Sequence, residues 1–277
     1  MIPFKFDYYR PDTIQEAINA YGELDSKSKN PFYYSGGSEI ISMARVHNIQ
    51  TQAIIDLKAI PECNVLEFSN DVLIIGSSVT LSRISESKLF SLLEKACGRI
   101  ADHTNQCRIT IGGNVCGTII YKETLLPLLL SDAYVIVASD GKLKQLPVKD
   151  VFDKNLKLQK GEFIVQFIIK KEFMDLPYVH VKKTKNEKID YPLLSIAALK
   201  KDNEIRLAMS GVCSFPFRSE KIEKNLNEKN TSMEERAGNI LKVLPAPILS
   251  DISASGDYRK FVLKNTLINV METMEEV

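Results

Sequence analysis

The chain has 277 residues, with 36 Lys+Arg against 35 Asp+Glu and a formal net charge of +1; 44% of it is hydrophobic and 26% charged. That is an ordinary globular mixture, and at roughly 100–200 residues per domain it predicts two or three compact units. Balanced charge argues against a dedicated binder of nucleic acid or anionic membrane, because either needs a net basic face.

Taken in chain order, Thr13 and Glu16 have the S/T-x-x-E spacing of a helix start, followed by an apolar stripe of Ile14, Ala17, Ile18 and Tyr21. Phe32–Tyr34 and Ala53–Leu57 read as short strands, with a small amphipathic segment at 39–45 between them and the unit ending near Pro61. A strand at Val72–Gly76 makes 61–75 a hairpin closed over Asn70-Asp71. From Thr80 the spacing of Leu89, Leu92, Leu93, Ala96 and Ile100 predicts one long helix. A glycine turn at Gly112-Gly113 precedes a Leu-rich helix near 123–131 and strands near 134–138 and 163–169. Lys182–Lys188 reads as a charged hinge, and Leu193–Leu199 and Arg206–Val212 flank a hairpin turn at Lys201-Asp202-Asn203. Ser219–Arg236 is almost wholly polar, the pattern of a solvated helix face or surface linker. The last helix, from Gly256, sets Tyr258, Phe261, Val262, Ile268 and Met271 on one face. Hairpins mixed with helices predict an α+β fold over a doubly wound parallel sheet.

The common nucleotide fingerprints are missing. No G-x-G-x-x-G follows a strand, and the glycine spacing of Gly112–Gly117 has Thr118 where a P-loop needs its lysine. Two glycine pairs stand out instead, each after an apolar run: Tyr34-Ser35-Gly36-Gly37-Ser38-Glu39 and Thr110-Ile111-Gly112-Gly113-Asn114. Glycine allows close backbone approach, and consecutive amides converge into anion-binding nests. Ser38, Thr110 and Asn114 add side-chain hydrogen bonds, so two such loops could grip a pyrophosphate, although most Gly-Gly pairs are merely turns. Tyr33 and Tyr34 are candidates to stack on an aromatic ligand, though a strand tyrosine before a turn is commonly core.

Other constellations are weaker. The five cysteines, at 63, 97, 107, 116 and 213, include no C-x-x-C pair, which predicts a reduced, cytoplasmic protein. Cys107, beside Arg108, is expected to be a buried apolar filler sooner than an activated thiol. His47, His103 and His180 are isolated, so no metal site is expected, and no G-x-S-x-G offers a serine nucleophile. The opening MIPFKFDYYRP lacks signal-peptide architecture, and the richest apolar stretch, Leu125–Leu130, is short and broken by Pro127.

In order, these segments resemble the FAD-binding medium subunits of molybdenum hydroxylases of the xanthine, carbon monoxide and nicotinate dehydrogenase types. The resemblance is carried by the RP-x-T-x-x-E-A run in Phe6–Tyr21, SGGSEIISMARVHNIQTQAIIDLKAIPE (35–62), QCRITIGGNVCGT (106–118), LLPLLLSDAYVIV (125–137), GVCSFPFR (211–218) and LSDISASGDYRKFVLKNTL (249–267). It implies an FAD-binding fold of the vanillyl-alcohol-oxidase/p-cresol-methylhydroxylase type: α+β subdomains at 1–60 and 61–172, then a C-terminal three-stranded sheet with helices at 173–277. Tyr33, Tyr34, Ser35, Gly36, Gly37, Ser38, Glu39 and Ile40 would form the first cofactor loop. Thr110, Gly112, Gly113, Asn114, Cys116 and Gly117 would form the second, with Lys182 near the flavin and Phe163 and Ile164 beside its ring.

Three departures accompany the resemblance. Glu123 stands where the family commonly has an aspartate nine residues after the loop asparagine, as in flavoproteins encoded beside selenium-dependent purine hydroxylases. Thr118–Lys122 replaces the usual T/A-S-P stretch, and the approach to Thr110 from Arg108 is shorter than usual. The implied function is electron transfer from partner iron–sulfur clusters through FAD to NAD. By the same resemblance, molybdopterin and 2Fe-2S groups would sit on partner chains, and no catalytic residue is assigned to this one. Two alternatives stay open: an assembly or scaffold subunit that has lost productive FAD binding, and a stand-alone flavin oxidase.

Overall fold

The computed structural model describes residues 2–186 and 189–277. After strand β1 (Asp7–Tyr9), Thr13 caps helix α1 (Ile14–Ser26) by accepting the Glu16 amide at 3.2 Å. The Glu16 carboxylate accepts the Asp12 amide (2.9 Å), one residue upstream of the reciprocal partner that the spacing predicts. Strand β2 (Phe32–Tyr34), helix α2 (Ser38–Arg45) and strand β3 (Ala53–Asp56) follow. The three strands form a parallel sheet in the order β1-β3-β2, and the central β3 is buried throughout, as a central parallel strand must be. β3 stops short of Leu57 because Asp56 accepts the Lys58 amide and starts a single 3₁₀ turn.

The hairpin over Asn70-Asp71 is present as β4 (Leu66–Ser69) and β5 (Val72–Gly76). The long helix expected from Thr80 is two helices, α3 (Leu81–Ser85) and α4 (Ser91–Cys97). Lys88 adopts a left-handed φ of 57°, and the Glu94 carboxylate accepts the Phe90 amide (3.2 Å) and the Ser87 hydroxyl (3.4 Å), which starts a new helix. Apolar spacing alone does not register that local cap. Next come α5 (His103–Gln106) and α6 (Ile111–Cys116). The expected glycine turn at Gly112-Gly113 is in fact the first turn of α6, because the Thr110 hydroxyl accepts the Gly113 amide at 3.1 Å. Helix α7 (Leu125–Leu130) is buried at every residue.

Strands β6 (Tyr134–Ser139) and β7 (Lys142–Pro147), the turn α8 (Val148–Val151), the short pair β8 (Phe152–Asp153) and β9 (Asn155–Leu156), and β10 (Phe163–Lys170) complete the middle of the chain. A five-stranded antiparallel sheet runs β4-β5-β10-β6-β7. Strands β11 (Tyr178–Thr184), β12 (Pro192–Lys201), β13 (Glu204–Ser210) and the two-residue β14 (Phe217–Arg218) form a second antiparallel sheet in sequence order. Asp202 and Asn203 close its hairpin with φ of 53° and 63°, the left-handed pair that a tight hairpin requires. The supposed hinge at Lys182–Lys188 is strand as far as Thr184, with Lys182 paired to Ser195; 187 and 188 lie outside the described residues.

Helices α9 (Glu220–Leu226), α10 (Met233–Lys242) and α11 (Gly256–Glu275) finish the chain. The polar run 219–236 is more than a solvated face. Ile222 and Leu226 are buried, and buried Arg236 bonds the Leu226 carbonyl (2.8 Å) and Glu275 (2.6 Å). The expected face of α11 is also corrected: Tyr258 and Phe261 are 52% and 65% exposed, while Arg259, Leu263, Thr266, Leu267, Val270 and Met271 are buried. The anchor is a charge that apolar periodicity misses. Arg259 holds both Asp251 oxygens at 2.8 Å and bonds the carbonyls of Leu193 and Gly211.

Two compact units result. One comprises the chain up to Glu86 with His103–Gly117 and Ala133–Lys171; the other comprises Ser87–Asp102, Thr118–Asp132 and Glu172–Val277. The first has a core of Ala17, Leu24, Ile55, Ile60, Phe163 and Val165. In the second, Leu194, Ile196, Leu207 and Met209 pack with Leu263, Leu267 and Met271, so one face of the antiparallel sheet is covered by its helices. No described helix is long and apolar enough to cross a membrane.

Candidate functional site

In the first unit, β2 delivers Tyr34 and Ser35 to the first glycine pair. A Cβ at Gly36 would collide with the Arg108 carbonyl, so only glycine allows this backbone-on-backbone approach. Gly37 has φ +75° and lies under the Tyr34 ring, which a Cβ there would strike. Ser35 Oγ bonds Ser78 Oγ (2.8 Å), and Lys58 Nζ donates to the Ser35 carbonyl (3.0 Å). Gly37 is also the N-cap of α2 and brings no capping side chain to that helix end. The Ser38 hydroxyl, at the first position of α2, is buried without a hydrogen-bond partner among the described residues. A buried hydroxyl at an N-terminus rich in amide donors suits an anionic oxygen.

The second glycine pair is fixed by backbone pairing. Leu81 donates to the Ile109 carbonyl (2.9 Å), Ile111 to Val79 (3.0 Å) and Gly112 to Ser77 (3.0 Å). A Cβ at Gly112 would lie 2.7 Å from Ser77, and one at Gly117 would collide with the Glu39 carboxylate. The two loops, distant in sequence, therefore meet at two places: Gly36 against Arg108, and Glu39 against Gly117.

The other predicted residues of this unit are placed as follows. Tyr33 belongs to the aromatic core: it stacks on Tyr21 at 4.9 Å, tilts onto Phe163 at 4.6 Å and donates its hydroxyl to the Gly161 carbonyl (2.9 Å), and burial raises its phenol pKa. Phe163 and Ile164 are buried on β10 beside a bulge at Ile164/Gln166. Ile40 and Asn114 are half-buried and Cys116 is exposed. Cys107 corrects the buried-filler expectation, since it is exposed with Sγ 3.6 Å from His103 Nε2 on a surface turn.

The second unit holds Glu123 and Lys182 in a dry cluster. Glu123 Oε1 accepts the Ser195 hydroxyl at 2.6 Å, and Oε2 faces Lys182 Nζ at 3.2 Å. Both charged side chains are about 95% buried or more, with exposures of 3% and 5%. Lys182 Nζ also donates to the Arg99 carbonyl (2.7 Å). Burial pushes the Glu123 carboxyl up, against the pull of Lys182, Ser195 and Arg99. On the same strand, His180 is buried with both ring nitrogens unpartnered among the described residues, and burial reinforced by Arg99, Lys182 and Lys95 lowers its pKa to about 3. In register beside Ser195, the buried Ser210 hydroxyl likewise lacks a partner among the described residues.

Motif reading missed Lys58, Asp56 and Tyr8 around the first loop and Ser195, Arg99 and His180 around Glu123. Lys58 follows Asp56 by two residues in a segment already singled out, so its place was within reach. Ser195 had no signal, because its partner lies 72 residues away.

Comparison with known proteins gives these arrangements their context. Residues 4–170 match the family model described as "FAD binding domain in molybdopterin dehydrogenase". The chain is 27% identical to the glyceraldehyde dehydrogenase medium chain of Sulfolobus acidocaldarius over 100% of both chains. It is 29% identical to the carbon monoxide dehydrogenase medium chain of Hydrogenophaga pseudoflava over 42% of this chain and 40% of that one. Among solved structures, carbon monoxide dehydrogenase from Hydrogenophaga pseudoflava superposes with a TM-score of 0.87 at 20% identity, covering 100% of this chain and 99% of that one. Quinoline 2-oxidoreductase from Pseudomonas putida 86 does so with a TM-score of 0.86 at 20% identity, with the same coverage. The shared fold is the α+β FAD-binding type that the sequence resemblance implied. With the family model covering well over half its length, the chain belongs to the FAD-binding domain family of molybdopterin dehydrogenases.

Proposed function

We propose that this chain is the FAD-binding electron-transfer subunit of a multi-subunit molybdenum hydroxylase acting on a xanthine- or purine-like substrate, with NAD as the final acceptor. In this reading it works in the cytoplasm beside an iron–sulfur subunit and a molybdopterin-binding subunit. Residues 1–60 and 61–172 are the flavin-holding parts and 173–277 the C-terminal domain. The observation that carries the reading is the meeting of the two glycine loops at Gly36 and at Glu39, with the Ser38 hydroxyl between those positions buried and without a partner among the described residues. Such a cradle of small residues, amides and one orphaned donor fits a diphosphate.

When bound, FAD supplies redox chemistry that couples one-electron donors to a two-electron acceptor. This chain binds and orients. Ser35, Gly36, Gly37, Ser38, Glu39 and Ile40, with Thr110, Gly112, Gly113, Asn114, Cys116 and Gly117, are the proposed diphosphate loops, and Tyr34 shields Gly37. Tyr33, Phe163 and Ile164 are proposed as the apolar support of the ring. Glu123 is proposed to bond the ribityl or ring edge, and Lys182 to bias charge near the flavin.

Purified protein is expected to be yellow or to take up one FAD per chain, and anaerobic NADH is expected to bleach its flavin absorbance. A colourless protein that cannot be reconstituted would sink the FAD assignment. Bound flavin that NADH leaves oxidised would sink the NAD assignment alone.

A further inference from the structure

We propose that Lys58, clamped by Asp56, which Tyr8 in turn anchors, is a positioning residue that sets the first glycine loop in its diphosphate-binding conformation. The inference deepens the FAD reading above and rests on it. Lys58 Nζ donates to Asp56 Oδ2 at 2.7 Å and to the Ser35 carbonyl at 3.0 Å, and lies 4.5 Å from the centroid of the Tyr34 ring. One ammonium thus ties down the peptide before Gly36 and the ring that covers Gly37. Its own anchor is rigid. Asp56 is 2% exposed, and its carboxylate also accepts the Lys58 amide at 3.0 Å and the Tyr8 hydroxyl at 2.5 Å. That last bond pushes the Tyr8 phenol up to about 12, so the hydroxyl remains a donor across the working pH range.

Peptide geometry explains what the clamp achieves. In a trans peptide the C=O and the following N–H point in opposite directions. Drawing the Ser35 carbonyl toward Lys58 therefore turns the Gly36 N–H away from the ammonium, on the side opposite the clamp. Holding the Tyr34 ring by a cation–π contact keeps Gly37 in its left-handed conformation, which brings successive amides to one side. Ser38, next in the loop, contributes the buried and unpartnered hydroxyl that independently points to a ligand there. Lys58 acts through Ser35 and Tyr34. The ligand class is a dinucleotide or nucleoside diphosphate.

The test is calorimetric titration of FAD and of ADP into the full-length apoprotein, wild type against Lys58→Met, Lys58→Arg and Tyr8→Phe. Lys58→Met is expected to weaken both ligands by the same factor, at least tenfold, and Lys58→Arg to recover affinity to within threefold of wild type. Tyr8→Phe, which keeps the charge but loosens the clamp, should weaken both a fewfold. If Lys58→Met does not fold, the Tyr8→Phe and Lys58→Arg results decide. Wild-type affinity in Lys58→Met, or in Tyr8→Phe where that variant decides, would overturn the inference while leaving the FAD reading intact. A wild-type protein that binds neither ligand would overturn the FAD reading itself.

Discussion

The glycine cradle of the first unit and the Glu123 cluster of the second solve opposite physical problems. The cradle is built largely from backbone: its critical positions are those where no side chain fits, and the Ser38 hydroxyl at a half-buried helix start is left without a partner among the described residues. The cluster is built from side chains drawn from three distant segments, with its carboxylate and ammonium both removed from water. A backbone site fails when atoms are added, whereas a buried ionic site fails when one partner is removed. That difference teaches which substitutions are informative in each region.

The sharpest way to break the comparison is Gly36→Ala. A methyl group there meets the Arg108 carbonyl, which is backbone and cannot swing aside, so FAD binding should fall below detection in a fluorescence titration. Retained binding would show that the loops do not need their close approach. In the cluster, Lys182→Met leaves Glu123 as a buried unpaired charge and should cost about 3–5 kcal/mol in urea unfolding. Adding Glu123→Gln should recover most of that loss. A small effect of Lys182→Met would mean that water reaches the pair.

A pH series sharpens the same contrast through His180. Its folded pKa, about 3, lies below the ordinary 6.5, so the stability tied to its neutral form is present above pH 6.5 and is lost as pH falls toward 3. Between pH 7 and pH 4.5 this one group should remove about 2–3 kcal/mol, seen as a falling urea midpoint that His180→Gln largely flattens. Ser195→Ala is expected to cost about 1–3 kcal/mol, because the Glu123 oxygen it served is left buried and unpaired. Ser38→Ala should do the reverse in the apoprotein. Removing an unpartnered buried hydroxyl leaves melting unchanged or slightly raised, while FAD affinity drops severalfold.

The same contrast explains what could be read before the structure. The Gly36-Gly37 pair after β2, the Thr13 cap and the Asp202-Asn203 turn are local signals, and each sits where its spacing puts it; Gly112-Gly113, expected as a turn, opens α6 instead. The break at Lys88 is not legible in the apolar stripe, because the Glu94 cap that restarts the helix is polar while the stripe is read from leucines. Lys182 reads as part of a hinge because a run of charge ordinarily marks exposure. Its burial depends on Glu123 and the Arg99 carbonyl, which chain order does not bring near. The face of α11 differs from its apolar pattern for a related reason: Arg259 turns inward to Asp251, and Tyr258 and Phe261 are left outside.

The central claim is that the paired glycine loops hold the diphosphate of FAD. Its most direct test is a titration of FAD into the purified apoprotein, followed by flavin fluorescence quenching, with ADP as competitor and Gly36→Ala as control. The account predicts one FAD per chain, competitive displacement by ADP and no quenching with Gly36→Ala. FAD binding that ADP does not compete with and that Gly36→Ala leaves intact would contradict it.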